Sequence, residues 1–216
     1  MTGADRVRRA GPADAQAIAE ILDQAFMDEP VNRWVFPDPA DRARRQPGFF
    51  RLYADHVLAT GEVYFTADGD GAALWRYIDP AAPPAPAVPR ELLARACGPN
   101  YPRMRTLLEL LAPCHPRQHR HGYVTFIGVR PARQGNGLGA ALLRDRLAAL
   151  DAAGVPAYLE ATSAGSLRLY QRLGFAPLPT TVTLPEGPPL FPMWRPAGAG
   201  RSTDQTPDGH SPGRKS

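Results

Sequence analysis

Three glycines at alternate positions, Gly135, Gly137 and Gly139, stand between an apolar run from Tyr123 to Val129 and a run carrying Leu138, Leu142, Leu143, Leu147 and Leu150. Leucines three, four and seven apart predict a helix over 138–153, and the run before the glycines predicts a strand over 123–129. A strand, a bare turn and a helix start, in that order, leave backbone N–H groups without partners at the positive end of a helix dipole. Such a place is suited to phosphate.

Several families of loop have this outline. Asn136-Gly137 alone fits a type I′ hairpin turn, but the run that follows has helical spacing and does not alternate. A nucleotide P-loop needs lysine beside its last glycine, and Lys215 is the sequence's one lysine. The dinucleotide fingerprint is a closer rival, because Gly135-x-Gly137-x-x-Ala140 fits it and Glu160 follows at a suitable distance for a ribose contact. Against it, Arg130 to Gln134 separate the glycines from the strand, and the sequence that follows is short for a second set of strand–helix units. The remaining pattern is Gln134-x-x-Gly137-x-Gly139 after a strand ending Val129-Arg130-Pro131. It resembles the pyrophosphate loop of the GNAT N-acetyltransferases.

Further along, Tyr158-Leu159-Glu160-Ala161-Thr162 precedes Leu169-Tyr170-Gln171-Arg172-Leu173-Gly174-Phe175. A strand with Glu, a short loop and a helix with Tyr followed by Leu-Gly-Phe is the order in which that family closes its cofactor site. More narrowly, the chain is similar to the puromycin N-acetyltransferase group. The shared phrases are Ala25-Phe26-Met27-Asp28 with Pro30, Ala72-Ala73-Leu74-Trp75, Leu110-Leu111-Ala112-Pro113, Ala153-Gly154-Val155-Pro156-Ala157 and Leu184-Pro185-Glu186-Gly187-Pro188. The likeness runs from about Val7 to Arg195.

The rest of the chain reads coherently with an α/β domain. Val7 to Ala10 predicts a strand. A helix follows from Gly11-Pro12-Ala13-Asp14, with Ile18, Ile21, Leu22, Ala25 and Phe26 on one face, and breaks at Asp28-Glu29-Pro30. A second helix is predicted from Asp38 to Thr60. Strands 62–66 and 72–77 flank the hairpin turn Ala67-Asp68-Gly69-Asp70-Gly71. A proline-rich surface stretch, 79–89, leads to helices 90–97 and 101–111. Strand 157–160, helix 165–173 and strands near 176–184 and 188–194 complete the domain. The expected boundaries are 5–196 for the domain and 197–216 for a polar, disordered tail.

Composition bounds the partners. The formal charge of +4 rests on scattered arginines rather than a patch, so nucleic acid is not expected. The sequence has no long apolar run and no apolar core in its first residues, so neither membrane nor export is expected, and the location reads as cytoplasmic. Cys97 and Cys114 read as reduced thiols. His115, His119 and His121 sit close together, but their proline-rich segment offers no helix to present ligands. It reads as a surface loop before a strand, and no metal is expected.

The resemblance implies a GNAT fold: a mixed, mostly antiparallel sheet of about six to seven strands flanked by helices and splayed between 123–129 and 157–160. It implies acetyl-coenzyme A as acyl donor. The pyrophosphate would lie on the amides of Gly135, Asn136, Gly137, Leu138, Gly139 and Ala140, with Gln134 opening the loop. The pantetheine arm would run along Ile127, Gly128 and Val129. Ser166 stands where the family often has Asn in the loop before the Tyr-bearing helix. Tyr170 matches the family's acid for the departing thiolate; otherwise it is an aromatic packed beside Leu169, Leu173 and Phe175. Many family members carry a carboxylate at the start of the fourth strand, where this chain has Tyr123. Glu160 is therefore the candidate base or else a structural carboxylate, with His121, Asp28 and Glu29 as further candidates.

The acceptor side is expected between Phe26 and Phe36. Asp28, Glu29, Arg33 and Trp34 form a carboxylate and aromatic set suited to a cationic amine with an apolar body, with Trp75 nearby. Either tryptophan is equally read as core. The expected activity is acetyl transfer to a small-molecule amine, with an aminonucleoside or another amine antibiotic as the class the subgroup points to. A protein or peptide N-terminal acetyltransferase and a non-catalytic acyl-coenzyme A-binding protein stay open beside it, as do a monomer and a homodimer.

Overall fold

The computed structural model describes residues 7–84 and 86–199. β1 (Val7–Arg9) leads through a single 3-10 turn into α1 (Ala15–Phe26). The Asp14 carboxylate holds this entry, accepting from Gly11 N at 2.9 Å and pairing with Arg8 Nη2 at 2.6 Å. At Asp28-Glu29-Pro30, where the sequence predicts only a break, the chain starts a second helix, α2 (Pro30–Val35). Glu29 caps it by accepting from Asn32 N at 2.8 Å, and Pro30 takes the first helical position, where no N–H is needed. Asp38 caps the long α3 (Pro39–Thr60). β2 (Glu62–Thr66), β3 (Gly71–Ile78), α4 (Arg90–Cys97) and α5 (Tyr101–Leu111) follow.

The second half contains β4 (His121–Val129), α6 (Leu138–Ala152), β5 (Ala157–Ala161), α7 (Ala164–Arg172), β6 (Ala176–Pro177), β7 (Val182–Thr183) and β8 (Pro189–Arg195). The sheet order is β1-β2-β3-β4-β5-β8-β6, with β7 on β8. β4 and β5 are parallel; the other recorded pairs are antiparallel. Among the described residues, eight strands replace the expected six or seven because β6 and β7 are two residues long, too short for alternation to show.

Each face of the sheet has its own core. α1 and α3 bury Ile18, Leu22, Phe50 and Val57 against one face. α6 buries Leu142, Leu143, Leu147 and Leu150 against the other, together with Trp75 and Leu159. Gly128 lets α1 approach β4, since a Cβ there would stand 2.9 Å from that of Ala25. Beneath, Arg195 is 2% exposed and clasps Asp151 with two hydrogen bonds of 2.6 and 2.7 Å. This pair ties the end of α6 to β8.

The parallel ladder is short. β4 and β5 pair at Gly122–Ala157 and Tyr123–Tyr158, with no pair recorded beyond. On the other side of β4, Trp75 faces Val124 and Leu74 faces Phe126, so Thr125 is an extra residue. A bulge of this kind bends its strand, while β5 stays paired to β8 through Ala161. The two strands therefore part, as the splay predicted from the sequence requires.

Candidate active site

A cavity of about 280 Å³ occupies the fork between β4 and β5. Residues 123–129 form one wall, and Leu159, Glu160 and Thr162 form the opposite one. Ser166 and Tyr170 of α7 close one side; Phe26, Glu29 and Met104 stand on the other.

Two acids and a phenol meet here. Burial in the cavity wall pushes the Glu160 carboxyl up to about 7, although hydrogen bonds from the phenols of Tyr158 and Tyr123 pull the other way. Tyr123 Oη donates to Glu160 Oε2 at 3.1 Å. Glu29 is likewise pushed up by burial, and its Oε1 is buried without a hydrogen-bond partner. Tyr170 is 6% exposed, with its ring 6.0 Å from that of Phe175. Burial first, then the charges of Glu29 and Glu160, raise its phenol above the usual tyrosine range. Tyr170 thus stays protonated at neutral pH while Glu160 is poised near neutrality, which is the separation an acid and a base need.

The glycine turn lies beyond Gln134, at the end of this fork. Gly135 and Gly137 have φ of +80° and +79°, with nothing within 4 Å of where a Cβ would stand. Gly137 is the N-cap of α6 and supplies no side-chain cap, so the first N–H groups of the helix have no side-chain partner there. Leu138 and Ala140 bury their side chains and offer the turn only backbone. Arg133 anchors the loop on Asp70 at 2.6 Å, and Gln134 Nε2 donates to Val129 O at 3.1 Å. A cradle of bare amides leading into a fork whose strand edge is unpaired past Tyr123 fits a pyrophosphate with an amide-bearing arm. Thr125 Oγ1, buried without a partner in the cavity wall, adds a polar group to that path.

The structure brings Ile127, Gly128, Val129, Gln134, Glu160, Ser166, Tyr170 and Glu29 to this cavity. Ser166 needs a correction of place: it lies inside α7, and its hydroxyl donates to Ser163 O at 2.9 Å while accepting from Ser163 N. Trp75 is corrected outright. It is 1% exposed and packs with Leu142 and Leu150 on the far face of the sheet, because residues of one strand alternate between faces. Asp28 and Arg33 are exposed and outside the lining.

Trp34 lines no part of the cavity and is held outside it. Its Nε1 donates to Pro185 O at 2.8 Å, and Arg103 sits over its ring at 5.2 Å. The histidine segment is a loop before β4, as expected, with His119 exposed, but its last histidine departs from that reading. His121 is 0% exposed in β4, and the His115 ring lies 5.1 Å from it; burial drives His115 down to about 3. Among the described residues, no group of three or more His, Cys, Asp or Glu is placed to hold a metal ion, and no helix is long and apolar enough to cross a membrane.

Tyr123, Thr125 and Tyr158 are site residues that the pattern does not single out. The strand alternation marks Tyr123 and Tyr158 only as apolar members of a core, and a bulge at Thr125 has no local sequence signal.

Comparison with known proteins is consistent with this geometry. Residues 110–175 match the model of the Acetyltransferase (GNAT) family. A mycothiol acetyltransferase of Streptomyces avermitilis is 45% identical over 58 residues, which are 26% of this chain and 19% of that protein. The aligned part thus spans about a fifth of that relative. A Corynebacterium glutamicum structure described as histone acetyltransferase HPA2 and related acetyltransferase superposes with a TM-score of 0.63 at 27% identity, over 89% of this chain and 96% of that one. Arylalkylamine N-acetyltransferase 2 of Aedes aegypti shares the fold, with a TM-score of 0.62 at 16% identity over 89% and 98% of the two chains.

Proposed function

With residues 110–175 in the GNAT acetyltransferase family and the chain in its fold, we propose that this protein transfers an acetyl group directly from acetyl-coenzyme A to the amine of a small molecule. The observation that carries the reading is the fork itself, with Glu160 and Tyr170 lining one cavity and the glycine cradle at its end. Acetyl-coenzyme A supplies an activated acyl group and a thiolate leaving group. The amides from Gly135 to Ala140 would hold its pyrophosphate, and the free edge of Ile127, Gly128 and Val129 would hold its amide arm.

Glu160 takes the ammonium proton of the acceptor, leaving a neutral nucleophile. Tyr170 gives its phenolic proton to the departing sulfur and recovers one from the nitrogen as the amide forms; Glu160 then discharges to solvent. Holding both reactants in one cavity supplies a further large part of the acceleration.

A small acceptor is favoured over a peptide because the fork holds a cavity of about 280 Å³ walled by Phe26, Val31, Phe49 and Met104 with Glu29 among them. Glu29, with an unpartnered oxygen, is suited to the acceptor's ammonium. The likeness to the puromycin group supports an aminonucleoside or related amine antibiotic as the acceptor class. Thiol release is to be measured with small primary amines, aminonucleosides and peptides with free N-termini. Release with small amines at least about tenfold above peptides, by kcat/KM, is the expected result; the reverse order overturns the small-molecule reading.

The cradle has its own test. Gly137→Ala keeps the space but places a side chain at φ +79°, a strain of about 1–2 kcal/mol. We expect a stability loss of that order by urea unfolding. A weaker affinity for coenzyme A in calorimetry, with kcat nearly unchanged, should accompany it. Unaltered affinity would remove the turn from the donor site.

A further inference from the structure

We propose that Tyr123 and Tyr158 form a two-phenol clamp on Glu160, placed at the last paired residues of the β4–β5 ladder, which aims the carboxylate into the fork and favours its charged form. Both are positioning residues, acting on the reaction through Glu160. The inference rests on Glu160 being the base.

The geometry is specific. Tyr123 and Tyr158 are register partners in the ladder, and their rings lie 5.7 Å apart. Past them the strands separate, so the two phenols sit at the root of the fork and Glu160 one step inside it. Tyr123 Oη donates to Glu160 Oε2 at 3.1 Å. Tyr158, fully buried two residues before Glu160 on β5, donates its phenol to the Cys114 carbonyl at 3.4 Å and acts on the Glu160 carboxylate electrostatically.

The rings themselves are held. His115 stands edge-on to both, 4.6 Å from Tyr123 and 4.9 Å from Tyr158. A phenol that cannot swing away is a fixed dipole, and two of them directed at one carboxylate favour its ionised form against the cost of burial.

The other ionisable groups around Glu160 do not serve this role. Tyr170 on α7 interacts electrostatically with both Glu160 and Glu29, the latter at the start of α2. Glu29 is a second carboxylate, which opposes charge on Glu160. Tyr53 on α3 couples to Tyr123, and His115 is held neutral by burial. The two phenols are therefore the side chains that offset burial of the carboxylate, beside the backbone N–H of Glu160 itself.

Tyr123→Phe removes one oxygen and keeps the ring. It is to be examined by a pH profile of kcat/KM and by carbon-13 NMR titration of the Glu160 carboxyl, the second readout being independent of turnover. The Glu160 titration and the ascending limb should both move up by about 0.5–1 pH unit. At pH 7 kcat/KM should fall about two- to fivefold and recover at higher pH, with KM for acetyl-coenzyme A unchanged. Tyr158→Phe should move both in the same direction; should it not fold, Tyr123→Phe alone decides.

A Glu160 titration that stays where it is in the unsubstituted protein overturns the clamp. So does a rate that falls equally at every pH. A shifted titration without any amine-dependent turnover leaves the clamp standing and overturns the role of Glu160 as base, so the two failures are distinguishable.

Discussion

Glu160→Gln should lower kcat/KM by about 10²–10⁴-fold and at the same time make the protein more stable above neutral pH. The two effects have one cause. Burial holds the Glu160 carboxyl near 7 against an ordinary value of 4.5. A group raised on folding contributes stability that is fully present below its unfolded pKa, here about 4.5, and lost as pH rises through its folded pKa of about 7. Above pH 7 the folded protein carries a buried charge that the unfolded chain would expose at no cost.

Glutamine keeps the shape and can accept from Tyr123, but it has no charge to bury. The expected gain at pH 8 is about 1–3 kcal/mol, with little difference between the two proteins at pH 4. In kinetics, the limb near pH 7 should vanish from the variant's profile. Urea unfolding at the two pH values and a pH–rate series check both halves. A variant that loses activity without gaining stability at pH 8 would contradict the buried-base account. So would an undisturbed limb.

Tyr170→Phe carries the second large effect. The ring keeps its packing against Phe175, so the fold should be preserved while the proton for the leaving sulfur is lost. A fall in kcat of about 10²-fold is expected, with KM for donor and acceptor changed little, since the phenol acts as charge develops on sulfur. An acyl donor with a less basic leaving thiol should narrow the gap between the two proteins. Equal kcat for both proteins would return Tyr170 to the role of a packing aromatic.

The fold was largely legible because its signals are local. Leucines at 142, 143, 147 and 150 declare α6, and the glycines at 135 and 137 declare a turn that only a positive φ satisfies. α2 was illegible because Pro30 reads as a breaker until Glu29 is seen to cap the helix it opens.

The site divides the same way. Its donor half is written in one contiguous stretch, 123–140, and Tyr170 is recognisable from its order relative to Leu173-Gly174-Phe175. The proposed acceptor half is assembled from α1, α2, α5 and the bulged β4, and no short window records which residues those elements turn toward one another. Trp75 is the clearest case: aromatic and one strand away, it faces the other core because of strand alternation alone. Tyr123 is the converse, since only the pairing of β4 with β5 brings its phenol onto Glu160.

One fork is proposed to bring a coenzyme A thioester and a small amine together and to pass the acetyl group between them. Thiol release from acetyl-coenzyme A, followed alongside mass spectrometry of the amine, tests it most directly. The account predicts thiol release that depends on the amine and matches the N-acetylated product mole for mole. Tight coenzyme A binding with no amine-dependent release from any member of the panel would contradict it and leave a binding protein in its place.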